Sequence, residues 1–171
     1  VTYLAITVLG HDRPGIIAQT AEALAELGMN LEDSSMTLLR GHFAMTLICA
    51  GDAGAAKIEA ALTPLLDGSL SVSVREVPQE SEVAPLGESY LLTVHGADRL
   101  GIVARLAAVV AEAGGNITDL TTRLSGDLYV LVAEVDFPAA TEIAAVRDRI
   151  ARVADELGVE VGLRLVERDE L

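Results

Sequence analysis

Two stretches of the chain carry residue types suited to recognising a small charged molecule. They are Gly10-His11-Asp12-Arg13-Pro14-Gly15 and Gly96-Ala97-Asp98-Arg99-Leu100-Gly101. Each falls between an alternating apolar run and a helical pattern, so each reads as a loop leading from a strand into a helix start. At such a point the first backbone N–H groups of the helix lack partners, and the helix dipole presents its positive end. This arrangement attracts a carboxylate or another anion. Gly15 and Gly101 let a ligand approach the backbone closely. Asp12 and Asp98 can accept hydrogen bonds from an ammonium group, or can simply cap the following helix. Asn30 and Asn116 form a second pair, each just after a helix-ending glycine. Their amides offer a donor and an acceptor, which suits a zwitterion if the strand start brings them near the loop. Asparagine is equally an ordinary residue of left-handed turns.

Other chemistries find less support. His11, His42 and His95 fall in a loop, a turn and a strand, and with one cysteine they make no zinc pattern. Ser34-Ser35 lacks a nucleophile elbow, and no glycine run has P-loop spacing. The reading is therefore of a binding protein and not an enzyme, with no metal and no cofactor. Cys49 sits in an apolar run and reads as a small buried hydrophobe. The formal net charge of −14 opposes direct contact with nucleic acid or an anionic membrane. No apolar stretch has the length of a membrane span or the form of a signal peptide. A cytoplasmic location is the expectation.

The elements that must position these loops come twice. The segment from Leu4 to Ala18 recurs from Tyr90 to Ala104, an offset of 86 residues. Ala21, Ala25, Glu26, Gly28, Asn30 and Asp33 all have identical residues at that offset. Aligning Gly41 with Gly126 implies a one-residue deletion in the second copy. In the first half, residues 3–9 read as a strand and Pro14 suits the first turn of a helix. Ile17, Ala21, Leu24 and Leu27 form the apolar stripe of that helix, and Gly28 ends it. Residues 30–39 and 42–50 read as a hairpin through Arg40-Gly41. Residues 53–66 read as a helix with Ile58, Leu62 and Leu65 inward, its last turn weakened by Pro64. Leu70, Val72 and Val74 alternate in a last strand.

The second half repeats the order. Strand 90–96, helix 100–113 and hairpin strands 116–124 and 127–136 are followed by a helix carrying Ile143, Val146, Ile150, Val153 and Leu157 inward. A final strand alternates Val159, Val161, Leu163 and Leu165. The fold class is α+β: two ferredoxin-like βαββαβ units, antiparallel sheets with helices on one face. The expected boundaries are 1–77 for the first domain, 78–89 for a linker rich in Pro, Ser, Glu and Gly, and 90–171 for the second. Open sheet edges and a short linker predict that the halves pack as a pseudo-dimer.

Asp12-Arg13-Pro14-Gly15-Ile16-Ile17 followed by Gly28-Met29-Asn30-Leu31 resembles the signature of ACT domains. Asp98-Arg99-Leu100-Gly101-Ile102-Val103 followed by Gly114-Gly115-Asn116-Ile117 is similar. A tandem pair with no catalytic segment resembles the glycine cleavage system transcriptional repressor family. The resemblance implies a regulatory protein that binds an amino acid, glycine or serine first, at an ACT–ACT interface. It implies action through a protein partner in transcriptional control of glycine and one-carbon metabolism, with a homodimer among the assemblies. The ligand residues it implies are Gly10, Asp12, Arg13, Pro14, Gly15, Ile16 and Asn30, with Asp98, Leu100, Gly101, Ile102 and Asn116 in the second domain. Some serine-binding relatives have His where Gly10 and Gly96 stand, which removes a polar contact. Leu100 replaces the usual proline, leaving the second loop less pre-set. The competing readings are an assembly module that binds nothing, or a regulatory piece of an enzyme such as a formyltetrahydrofolate hydrolase or a nucleotidyltransferase.

Overall fold

Leu4, Ile6 and Val8 alternate with Ala5, Thr7 and Leu9, so Thr2–His11 is a strand with one buried face, β1. The computed structural model describes residues 1–65, 67–80 and 86–167. It divides into two units, Val1–Ser81 and Glu82–Leu171. In the first unit, β1 is followed by α1 (Ile16–Glu26), β2 (Asn30–Leu39), β3 (His42–Gly51), α2 (Ala55–Leu65) and β4 (Leu70–Val77). The sheet order is β2-β3-β1-β4, antiparallel throughout. The second unit repeats this with β5 (Gly87–Ala97), α3 (Ile102–Glu112), β6 (Asn116–Ser125), β7 (Leu128–Pro138), α4 (Ile143–Leu157) and β8 (Val159–Leu165), in the order β6-β7-β5-β8. The expected βαββαβ order therefore holds in both halves. Each unit has its own core between one sheet face and its two helices: Leu4, Ile6, Leu24, Phe43, Ile58 and Leu62 in the first, Leu92, Val94, Leu106, Val135, Phe137 and Ile150 in the second. Among the described residues no helix is long and apolar enough to cross a membrane.

Several local expectations shift. The buried stripe of α1 is Ile16, Thr20, Ala23 and Leu24, while Ile17 is half exposed. Eight of the eleven residues of this helix are small or apolar, so two registers one residue apart fit its sequence. The inward register holds because the Thr20 hydroxyl donates to the Ile16 carbonyl at 2.8 Å, which satisfies it inside the core. At the same positions α3 carries Ile102, Leu106, Val109 and Val110, without a polar residue. Leu65 and Leu165 point out to solvent instead of inward. Residue 66, the expected end of α2, lies outside the described residues, as do 81–85 of the expected linker. Strand β5 begins at Gly87, so residues 87–89 pair with β7 instead of linking.

The expected deletion in the second hairpin is absent. Leu39 pairs with His42, and Ser125 with Leu128, so the offset of 86 runs straight through. What changes is the turn. Arg40 and Gly41 both have positive φ, as in a type I′ turn, whereas in Gly126-Asp127 only the glycine does, as in type II′. The glycine has moved one place because the two turns need positive φ at different residues.

Candidate functional site

The loop after β1 is shaped by one backbone angle. Gly15 has φ 91° and ψ −3°, the third position of a type II turn that has Pro14 second. Pro14 thus belongs to the turn ahead of α1, not to its first helical turn. Gly15 itself is the residue preceding the helix, and its carbonyl accepts from Gln19 N–H at 2.9 Å. No side chain caps α1. Asp12 is exposed and does not act as the cap, so the capping alternative falls away and the opening N–H groups of α1 stay uncapped. The Asp12 backbone N–H donates to the Gly41 carbonyl at 3.2 Å, tying the loop to the hairpin turn. Beside the loop opens a cleft of about 450 Å³, lined by Asp12, Arg13 and Gly15 together with Ile16, Ile17, Met36 and Phe43.

Arg13 is committed elsewhere. Its Nη2 donates to Gln19 Oε1 and to the Leu65 carbonyl, both at 3.0 Å, and its Nη1 to the Pro14 carbonyl at 3.3 Å. Its Nε lies 3.5 Å from Asp67 Oδ2. The guanidinium therefore clamps the loop to the C-terminal end of α2, where a cation is favoured by the helix dipole. The Ser69 hydroxyl and backbone N–H, and then Arg13, hold the exposed Asp67 carboxyl below the usual range. Gly10 faces the start of β4. A Cβ there would stand 2.3 Å from the Ser69 carbonyl oxygen and 2.9 Å from Leu70 Cα, so the crossing of β4 demands glycine.

Asn30 lies far from this loop. It pairs with Ala50, at the end of the sheet where β1 begins, whereas His11 and the loop stand beside His42. Eight residues of β3 separate the two ends, roughly 26 Å at the ordinary strand rise. Within one unit a small ligand cannot touch both. Asn116 repeats the placement opposite Asp136. Both asparagines are exposed and neither has positive φ, so they are not left-handed turn residues either.

The second loop keeps the backbone and loses the clamp. Gly101 has φ 87° and ψ 8°, Ile102 is buried, no side chain caps α3, and the Asp98 N–H donates to the Asp127 carbonyl at 3.3 Å. Leu100 is fully exposed. Arg105 stands where Gln19 stands in the first unit. It pairs with Glu156 of α4, while Arg99 is exposed. Sequence reading missed Met36 and Phe43 in the cleft and Leu65 and Asp67 in the clamp. Alternation put Met36 and Phe43 on strands, but only the sheet order sets them beside the loop.

Two βαββαβ units, each turning through a left-handed glycine into an uncapped helix, define a tandem regulatory-type fold that comparison identifies. The ACT domain model matches residues 2–73 and 88–164, and the chain belongs to that family. The resemblance read from the loop and asparagine motifs is thus borne out. The chain is 24% identical to the glycine cleavage system transcriptional repressor of Escherichia coli, over 96% of this chain and 90% of that protein. It is 39% identical to a UPF0237 protein of Methanopyrus kandleri, over 42% of this chain and 80% of that one. A crystal structure of an unknown protein from Galdieria sulphuraria matches 97% of this chain and 99% of its own, with a TM-score of 0.81 and 33% identity. A putative glycine cleavage system transcriptional repressor shares the fold, with a TM-score of 0.72 at 16% identity and 98% coverage of each chain.

Proposed function

We propose that the chain is a regulatory protein that binds an amino acid at its first β–α loop and acts on a protein partner, without catalysis of its own. The observation carrying this reading is the uncapped start of α1 opening, together with the Asp12 carboxylate, on one cleft. The ligand carboxylate sits on the N–H groups of the first helical turn, where the dipole favours negative charge. Its ammonium is held by Asp12. Arg13 takes no direct part, because both its Nη groups are turned to Gln19, Leu65 and Pro14. The similarity to a transcriptional repressor along nearly the whole chain supports a regulatory role. A net charge of −14 favours a protein partner over direct contact with DNA.

The test is calorimetric titration of the full chain with the set of protein amino acids, then of Asp12→Ala and Asp98→Ala. Losing a hydrogen bond to a charged ligand group costs about 1.5–3 kcal/mol, so Asp12→Ala should weaken binding by roughly one to two decades. Asp98→Ala should weaken it less. No heat with any amino acid would reject the reading in favour of an assembly module.

A further inference from the structure

Much of the cleft lining is aliphatic and aromatic. Phe43 is only 2% exposed and forms its floor, while Ile17 and Met36 are 50% and 45% exposed at its rim. Leu38 follows Met36 on the same side of β2 and is 48% exposed. Resting on the function proposed above, we propose that the ligand is an α-amino acid with an aliphatic or thioether side chain of leucine, isoleucine or methionine size. Its zwitterion sits between Asp12 and the start of α1, and its side chain lies over Phe43 between Ile17 and Met36.

Charge complementarity sets one end of this ligand and the lining sets the other. The acid and the helix N–H groups match an ammonium and a carboxylate. The side chains of Ile16, Ile17, Met36 and Phe43 offer no partner to a hydroxyl, an amide or a second charge, which would lose water on binding against them. The resemblance implied glycine or serine first, with Gly10 among the ligand residues. Gly10 does not line the cleft; it faces the Ser69–Leu70 backbone. In the second unit Thr122 and Tyr129 occupy the strand positions of Met36 and Phe43, pairing with Leu131 and Leu124 as those pair with Met45 and Leu38. Met36 is thus replaced by a polar threonine in the second unit, whereas Ile102, Val103 and Leu124 keep the apolar character of Ile16, Ile17 and Leu38.

Titration calorimetry of the full chain with leucine, isoleucine, methionine, serine and glycine tests this. Each buried methylene is worth about fourfold in affinity, so leucine should bind at least ~30-fold more tightly than glycine. Met36→Thr, a change at a half-exposed side chain, should weaken leucine binding several-fold and leave glycine unchanged. Glycine or serine binding as tightly as leucine would overturn the aliphatic assignment while leaving amino-acid binding at this loop standing. Unchanged leucine affinity in Met36→Thr would overturn the placement of the side chain. Absence of binding by all five would overturn this proposal and the amino-acid reading together.

Discussion

The loops after β1 and β5 reach the same backbone by different means. Gly15 and Gly101 differ by only a few degrees in φ and about ten in ψ, yet the first follows a proline and the second a fully exposed leucine. The first is held from below by Arg13, whose partners come from α1, from the end of α2 and from Asp67. In the second, the residue in Gln19's place is Arg105, a like charge that cannot accept from Arg99 and turns instead to Glu156. Backbone geometry is therefore set by the glycine alone. What the first loop adds is a tether between the candidate ligand site and the α2–β4 connection. The comparison separates what the ACT fold requires of this loop from what the first unit has built onto it.

The widest gap between the halves should appear at the strand crossing. Gly10→Ala forces a Cβ into the backbone of Ser69 and Leu70 and should destabilise the first unit by about 2–3 kcal/mol through overpacking. Gly96→Ala meets Val159, including its side chain, at 3.0–3.2 Å and should cost less, although its positive φ adds strain. Chemical denaturation combined with hydrogen exchange in β1 and β5 measures both. Equal effects would show that the two crossings are not packed differently.

A smaller asymmetry is expected at the arginines. Arg13→Ala should cost about 1–2 kcal/mol, the range for hydrogen bonds from a charged group reduced for partial exposure. It should also speed amide exchange around Ser69. Arg99→Ala should stay within about 0.5 kcal/mol, as surface changes usually do. The Asp67 side of the clamp depends on pH. Its carboxyl is held below its ordinary range, so the associated stabilisation is present above the unfolded-state carboxylate pKa and is lost as pH falls through the lowered folded value. Amide protection around Ser69 should therefore fall in acid in wild type and in Arg13→Ala alike, because the Ser69 bonds to Asp67 are the larger cause of its lowered pKa. A clamp insensitive to both changes would not be a clamp.

The smallest effect is a gain. Gly101 already has the angles that a type II turn with proline at its second position requires. Leu100→Pro should therefore stabilise the second unit by about 0.4–1 kcal/mol by restricting the unfolded chain. Thermal denaturation checks it, and a loss of stability would mean that the second loop differs from the first in ways Gly101 does not reveal.

The repeat, the βαββαβ order and the glycine turns were legible in the residues, because they depend on local chemistry. Alternation specifies a half-buried strand, and a glycine after an apolar helix specifies its end, whatever lies elsewhere in the chain. Asp12 and Gly15 could be singled out for the same reason: a strand-to-helix loop carries its free N–H groups with it. Tertiary structure alone decided the rest. Asn30 and Asp12 are 18 residues apart in sequence and both suit a zwitterion, but antiparallel pairing through β3 puts them at opposite ends of the sheet. Gly10 stood among the ligand residues the resemblance implied, and its α-carbon packs against a strand that starts at Leu70. Arg13 stood among them as well and binds a carbonyl 52 positions away. Met36 and Phe43 carry no motif; the sheet order makes them the wall of the cleft. Local patterns determine what each segment is, whereas contacts between distant segments determine which side chains remain free to meet a ligand.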